Sequence, residues 1–299
     1  MRLSYQIEEK DEYQTVQDVL KNQFHISNRL FSKLKKNPCI FCNRQLAKPK
    51  DSVQTNDLIE VLIDFEEESD NIVPTFMDLS ILYEDDSFLI VNKSAGVTVH
   101  PSFSHYTDSL SNGVKNYFEA KGIKKKIRPV NRLDKNTSGI VIFAKNEYVQ
   151  ECLVYQMKNK TFQKEYIALC EGIFQEKTGT ITGKIARKAN SIIEREINPD
   201  GEEAITHYSV LNENPDFSTV HFILETGRTH QIRVHCQSIG HPILGDDLYG
   251  KPSPLISRQA LHAYRVRFEH PILKKSLYFE APIPEDMNRL IYENNFNLT

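Results

Sequence analysis

The chain has 299 residues, 39% of them hydrophobic, no tryptophan, and a formal net charge of −3. That length suits one large domain plus a small one, and the apolar fraction is enough for a real core. No apolar run approaches the roughly eighteen residues of a membrane span. The N-terminal "MRLSYQIEEKDEY" lacks the apolar core of a signal peptide, and five unevenly spaced cysteines suit a reducing compartment rather than a disulfide framework. A cytoplasmic location is therefore expected.

In chain order, residues 15–36 carry apolar points at Val16, Leu20, Ile26, Leu30 and Leu34 in helical spacing, with Ser27 as N-cap of a second short helix. "CIFCNRQLA" and "DLIEVLIDF" read as strands. Cys39 and Cys42 form a lone CxxC with no second pair, so they read as strand residues and not as zinc ligands. "EEESDNIVP" suits a linker ending at Pro74. The expected division is a small α+β unit over residues 1–73 and a larger one over 74–299.

The larger part opens with "ILYEDDSFLIVNK", two strands joined by a tight acidic turn. The spacing predicts a helix over 107–122, with Thr107 as cap and Gly122 as stop. Strands follow at "KIRPVNRLD" and "GIVIFAK". Asn146 caps a helix bearing Val149, Leu153 and Met157 on one face. "QKEYIALCEG" is a strand, and "SIIEREINPDGEEAITHYSVL" a hairpin turned at Asp200-Gly201. "STVHFILETGRTHQIRVHCQSIGHP" runs from strand through turn into a helix capped at Thr229, with Ile232, Cys236 and Ile239 inward and Gly240 as stop. "ALHAYRVRFEHPILKKSLYFEAP" is a second hairpin, and "PEDMNRLIYEN" a closing helix with Pro284 in its first turn. Strands and hairpins dominate, which predicts an α+β fold with a mixed, largely antiparallel sheet and flanking helices.

The near-neutral total hides segregated charge. From Lys21 to Lys50 there is no Asp or Glu, while Lys33, Lys35 and Lys36 cluster. A second window holds Lys124, Lys125, Lys126, Arg128, Arg132 and Lys135, with Asp134 as its one acid. Two such clusters, one abutting an isolated carboxylate, predict a field that attracts phosphates.

Familiar chemistries are excluded in turn. "GDDLYGKP" begins like a phosphate-binding loop, but Pro252 stands where Ser or Thr should be, and Asp246 and Asp247 would sit in the phosphate cradle. There is no GxGxxG after a strand, no HExxH, no spaced His/Cys set for a metal and no GxSxG elbow. Three stretches remain: "NRLDKNTSG", "KEYIALCEG" with Tyr166 mid-strand, and "TGRTHQIRVH" with Arg228 before the helix and Arg233 within it. Singly, Asp134 reads as a turn aspartate, Tyr166 as a core aromatic and the arginines as surface charges. Together they suggest a carboxylate kept ionised by a guanidinium within about 4–6 Å, and the pairing expected is Asp134 with Arg228.

These stretches resemble the RluA-type family of RNA pseudouridine synthases, whose signature is His-Arg-Leu-Asp-x-x-Thr-Ser-Gly. "IVNKSAGVTVHPS", "GRTHQIRVH", "HPILGDDLYG" and "LHAYRVRFEHP" are similar to its other ordered motifs, over about residues 78–285. Residues 14–63 resemble, more loosely, the small RNA-binding domain of a ribosomal small-subunit protein. Asn131 replaces the family's usual His, Ser94 its usual Pro, and Asn43-Arg44 the usual Asn-Gly turn. The resemblance implies isomerisation of uridine in ribosomal or transfer RNA, with no nucleotide cofactor and no metal, and a monomer is the default expectation. It implies Asp134 as the residue that starts the reaction, by attack on the sugar or by proton removal, Tyr166 packed on the uracil, Arg228 paired with Asp134, and Arg132 filling the space of the extruded base. A non-catalytic RNA-binding or chaperone protein would show the same charge pattern, and a nucleic-acid glycosidase would use a similar carboxylate with an activated water.

Overall fold

The computed structural model describes residues 1–67 and 71–292. Part of the expected linker and the last residues expected in the closing helix lie outside the described residues. A four-stranded sheet in the order β1-β4-β2-β3 is built from β1 (Arg2–Gln6), β2 (Ile40–Cys42), β3 (Gln45–Leu46) and β4 (Leu58–Leu62). The sequence reading missed β1, whose one buried apolar residue, Leu3, gives too short a pattern to register. Helix α1 (Val16–Asp18), continued by a wider turn over Val19–Gln23, and helix α2 (Asn28–Leu34) cover this sheet. Thr15 caps the first, with Asp18 Oδ2 accepting its N–H at 2.8 Å, and Ser27 Oγ caps the second by accepting from Leu30 N at 3.2 Å. Their apolar faces close a core of Val16, Leu20, Leu30, Leu34, Ile59 and Val61.

The second sheet has ten strands, in the order β10-β9-β11-β12-β8-β13-β7-β6-β5 with β14 on the outer part of β13. They are β5 (Ser80–Glu84), β6 (Phe88–Lys93), β7 (Ser138–Ala144), β8 (Gln163–Glu171), β9 (Thr178–Arg187), β10 (Arg195–Ile197), β11 (Glu202–Glu213), β12 (Phe217–Leu224), β13 (Leu261–Glu269) and β14 (Ser276–Glu280). All pairs are antiparallel except β7 with β13. The expected α+β class with a mixed, mostly antiparallel sheet is what the chain forms. Strands β6 and β7 are buried on both faces, because alternate side chains face different helices. Leu89, Val91, Val141 and Phe143 pack with Val114 and Phe118 of α3 (Leu110–Ala120). Ile90, Ile140 and Ile142 pack with Val149 and Leu153 of α4 (Glu147–Lys158). Helices α5 (Gln231–Ser238) and α6 (Glu285–Tyr292) cover the β8–β12–β13 region through Ile232, Cys236, Met287 and Ile291.

Three expectations need correction. Residues 127–137 form a sequence of turns and not a strand, with an isolated bridge between Pro129 and Phe143 of β7. Asp134 thus sits in the turn before β7. Residues 191–211 are not one hairpin, since β10 and β11 both pair with β9, a strand the reading overlooked. The Asp200-Gly201 turn crosses the end of β9 so closely that a Cβ on Gly201 would lie 2.5 Å from the Ile185 carbonyl carbon. The α3 cap is Ser109 rather than Thr107.

The small sheet rests on α4. Tyr148 is buried in its core, Ser27 Oγ donates to Glu151 at 2.6 Å, and Arg29 pairs with Glu147 at 2.9 Å. The β2–β3 turn keeps left-handed geometry at both central residues, Asn43 (φ 51°) and Arg44 (φ 67°), the tight turn that normally selects Asn-Gly. A non-glycine there carries a steric cost of about 1 kcal/mol. Arg44→Gly should therefore raise stability by about 0.5–1 kcal/mol, read as a higher urea midpoint with an unchanged slope.

Candidate active site

The turn carrying Asp134 is fixed by what grips its backbone. Thr137 N–H closes the turn onto the Asp134 carbonyl at 3.1 Å. The ammonium of Lys93, buried at the end of β6, donates to the carbonyls of Ser94, Val97 and Lys135 at 2.8, 2.7 and 2.9 Å. Arg258 Nη1 holds the Asn136 carbonyl at 3.1 Å, while its Nε and Nη2 hold Asp286 at 2.7 and 2.8 Å. Gly139 then lets β7 run beside β13. It has φ 113°, and a Cβ there would lie 2.2 Å from the Ala263 carbonyl oxygen, so the glycine of the signature is a requirement of strand approach. Asn131, where the related motif has His, bridges the turn to β7 by donating to Ile140 O and accepting from Ile142 N, both at 2.9 Å.

The guanidinium paired with Asp134 belongs to Arg233. Its Nη1 lies 3.1 Å from Asp134 Oδ2, and its Nε and Nη2 fork onto Asp246 at 2.6 and 2.8 Å. The Arg233 side chain is 7% exposed, Asp246 0% and Asp134 26%. Burial works against the charge on Arg233, but the Asp246 contacts outweigh it and raise its pKa. Arg228, the expected partner, instead binds Glu202 at 2.5 Å and the Glu203 carbonyl at 3.0 Å at the mouth of the site. The reason is local. The helix starts at Gln231 after His230 turns left-handed (φ 59°), so Arg228 lies outside it and Arg233 projects from it. Asp246, set aside with the abortive phosphate-loop pattern, is the residue that anchors Arg233. It also accepts from Leu248 N and Tyr249 N at 3.1 Å.

Asp134 and Tyr166 meet in one cleft of 750 Å³. Tyr166 comes from β8, packs in the core and keeps a hydroxyl without a hydrogen-bond partner among the described residues. Burial lifts its phenol well above the ordinary tyrosine value, and the nearby Asp134 charge adds to this. Arg132, Lys164, Arg187, Arg195 and Arg228 line the same cleft. Asp134 is its one acidic lining residue. Arg132 and Arg187 make no ion pair among the described residues. The sequence reading missed Arg187 and Arg195 because they stand on the overlooked β9 and on β10.

The lysine clusters are partly spent inside the molecule. Lys33 pairs with Glu67 at 2.7 Å, Lys124 with Glu66 at 3.3 Å, and Lys125 with Asp64. Arg128 shares Glu67 at 2.8 Å. The acids of the expected linker fold back onto both cationic windows. Lys35, Lys36 and Lys126 stay exposed with no ion pair among the described residues.

Two expectations about stability follow. Arg233→Met strands Asp246 as a buried charge and should cost about 3–5 kcal/mol, whereas Arg228→Ala should stay within about 0.5 kcal/mol. Urea unfolding of the two variants separates the roles. Burial pulls Lys93 down to about 7, Asp134 raising it and Arg258 lowering it further. Between that value and the ordinary 10.5, the unfolded chain holds a proton the folded chain has released, so stability rises with pH across the window. Lys93→Met should flatten that rise in thermal midpoints measured from pH 6 to about 10.

Residues 87–238 match the family model described as RNA pseudouridylate synthase. The chain is 40% identical over 255 residues to the RNA pseudouridine synthase YhcT of Bacillus subtilis, covering 83% of this chain and 84% of that one. It is 37% identical to ribosomal large subunit pseudouridine synthase D of Neisseria meningitidis, with 86% and 72% covered. The structure of human RNA pseudouridylate synthase domain containing 1 superposes with a TM-score of 0.58 at 25% identity, over 74% of this chain and 96% of that one. The match reaches across the turn bearing Asp134, the strand bearing Tyr166 and the helix bearing Arg233, and on it the chain belongs to the RNA pseudouridine synthases, the isomerases that convert uridine to pseudouridine in RNA.

Proposed function

We propose that this synthase acts on ribosomal RNA in the cytoplasm, as a monomer and without a cofactor, and that Asp134 is the carboxylate that begins the reaction. One observation carries the assignment. Asp134 Oδ2 is held by Arg233, while Oδ1 has no hydrogen-bond partner among the described residues, in a cleft whose other charged lining residues are all cations. An anchored carboxylate with one free oxygen is suited to act on the ribose of an extruded uridine. The N1–C1′ bond breaks, the base turns, C5 bonds to C1′, the C5 proton leaves to solvent and N1 regains one. Substrate and product have the same composition, so the step calls for no oxidant or energy carrier. Tyr166, which lines the same cleft as Asp134, is suited to pack its ring on the uracil. Its elevated pKa keeps it a neutral phenol, which favours a packing role over that of a phenolate base.

Ribosomal RNA is favoured because a relative is named a ribosomal large subunit synthase and because the small N-terminal unit presents Lys35 and Lys36 exposed and without an ion pair among the described residues. Arg132, Arg187, Arg195 and Arg228 rim that cleft and would hold the RNA backbone, offsetting the few kcal/mol needed to unstack a base. Arg132, beside the carboxylate, is suited to fill the gap the base leaves.

RNA tritiated at uridine C5 should release label to water with the wild-type protein and retain it with Asp134→Ala. Label retained by the wild type on total cellular RNA would favour a non-catalytic RNA-binding role, and release of free uracil a glycosidase. Arg187→Ala should weaken RNA binding across sequences and reduce the slope of log affinity against log salt by about one, read by titration at several salt concentrations.

A further inference from the structure

The cleft contains a second contact to Asp134 that the pairing with Arg233 does not explain. His230 Nε2 lies 3.8 Å from Asp134 Oδ2, the oxygen Arg233 already holds. Its Nδ1 lies 2.8 Å from the hydroxyl of Tyr249. That hydroxyl oxygen accepts the Arg195 backbone N–H at 2.7 Å, so its own proton is free, and a buried phenol finds an acceptor for it. The acceptor within reach is Nδ1. Donation from Tyr249 leaves the neutral imidazole with its hydrogen on Nε2, facing the carboxylate. The opposite tautomer would set a lone pair against that anion and leave the Tyr249 proton without a partner. The two ends of the ring therefore select the same state. Burial, reinforced by Arg233, keeps His230 below the ordinary histidine pKa although Asp134 acts the other way, which agrees with a neutral ring.

His230 is left-handed at φ 59° immediately before α5, a region histidine enters more readily than most side chains; from this turn its ring reaches both Asp134 and Tyr249. Tyr249 also lies 4.9 Å beneath the Arg233 guanidinium, so one aromatic ring supports both groups that face Asp134.

We infer that His230, oriented by Tyr249, is a positioning residue that donates its Nε2–H to Asp134 Oδ2 when the uridine enters. Closing the gap by less than an ångström makes that bond, the kind of tightening expected between free and substrate-bound sites. Both donors then grip one oxygen, and Oδ1 is left for the reaction. This rests on the assignment of Asp134 above.

Histidine-labelled ¹⁵N NMR of the free protein should show His230 as the Nε2–H tautomer, with Tyr249→Phe shifting it toward a mixture. An Nδ1–H tautomer in the wild type overturns the inference with no turnover measured. His230→Gly, which suits the left-handed backbone, should lower kcat by about 10- to 100-fold, the range commanded by one hydrogen bond to a charged group. KM should stay within about twofold, and free imidazole should restore part of the rate. His230→Asn gives the same comparison should the glycine variant fold poorly. Wild-type turnover in either variant, or a loss that imidazole leaves untouched, overturns the inference while an inactive Asp134→Ala keeps the assignment of the carboxylate. Turnover by Asp134→Ala overturns that assignment and this inference with it.

Discussion

The guanidinium of Arg233 is the member on which the site depends. A buried arginine between two carboxylates is stable only if its fork is filled, and here Asp246 fills it completely from below. The remaining nitrogen reaches Asp134, which is one-quarter exposed and free to meet a substrate. The deep acid thus sets the arginine, and the arginine sets the shallow acid. Asp246 has no route to the cleft chemistry of its own, yet the geometry at Asp134 would not exist without it.

Charge is organised on a larger scale by the same rule. The chain has nearly equal numbers of acids and bases, but several acids fasten the structure while Asp134 is the one acid lining the cleft. Asp64, Glu66 and Glu67 tie Lys125, Lys124, Lys33 and Arg128 across the two sheets. Burial alone would push Glu67 up, and the contacts from Lys33 and Arg128 bring it below the usual carboxylate range, so this clasp stays charged at neutral pH. Of the cations without an ion pair among the described residues, Arg132, Lys164, Arg187 and Arg195 gather at the cleft. A near-neutral protein can bind a polyanion in this way, because the local field and not the sum decides.

The fold was legible wherever periodicity and punctuation agreed. The β5–β6 and β13–β14 hairpins, the Asn146 cap, Gly122 and Gly240 as helix stops, and Tyr166 on a strand could all be read from residue order. Strand β9 was not, because "TGTITGKIAR" is rich in glycine and threonine and carries little apolar contrast. At the site, the sequence brought Asp134 and Tyr166 to one place but chose the wrong arginine. Arg228 and Arg233 look equivalent in a string, and the left-handed turn at His230 decides which of them reaches Asp134. Asp246 was hidden for a related reason. A carboxylate beside a Gly-Lys pattern looks like a spoiled phosphate loop until its partner, thirteen residues earlier, is known.

The carbonyls that follow Asp134 are clenched by Lys93 and Arg258, and its carboxylate by Arg233, so the turn has almost no slack. A seat this stiff does not reshape itself around a guest. The yielding must come from the nucleic acid, and a uridine already loosened in a bulge or loop arrives with less to surrender than one locked in a duplex. Selectivity among many chemically identical uridines can then originate in how readily each leaves its neighbours, with no side chain needed to read the bases beside it.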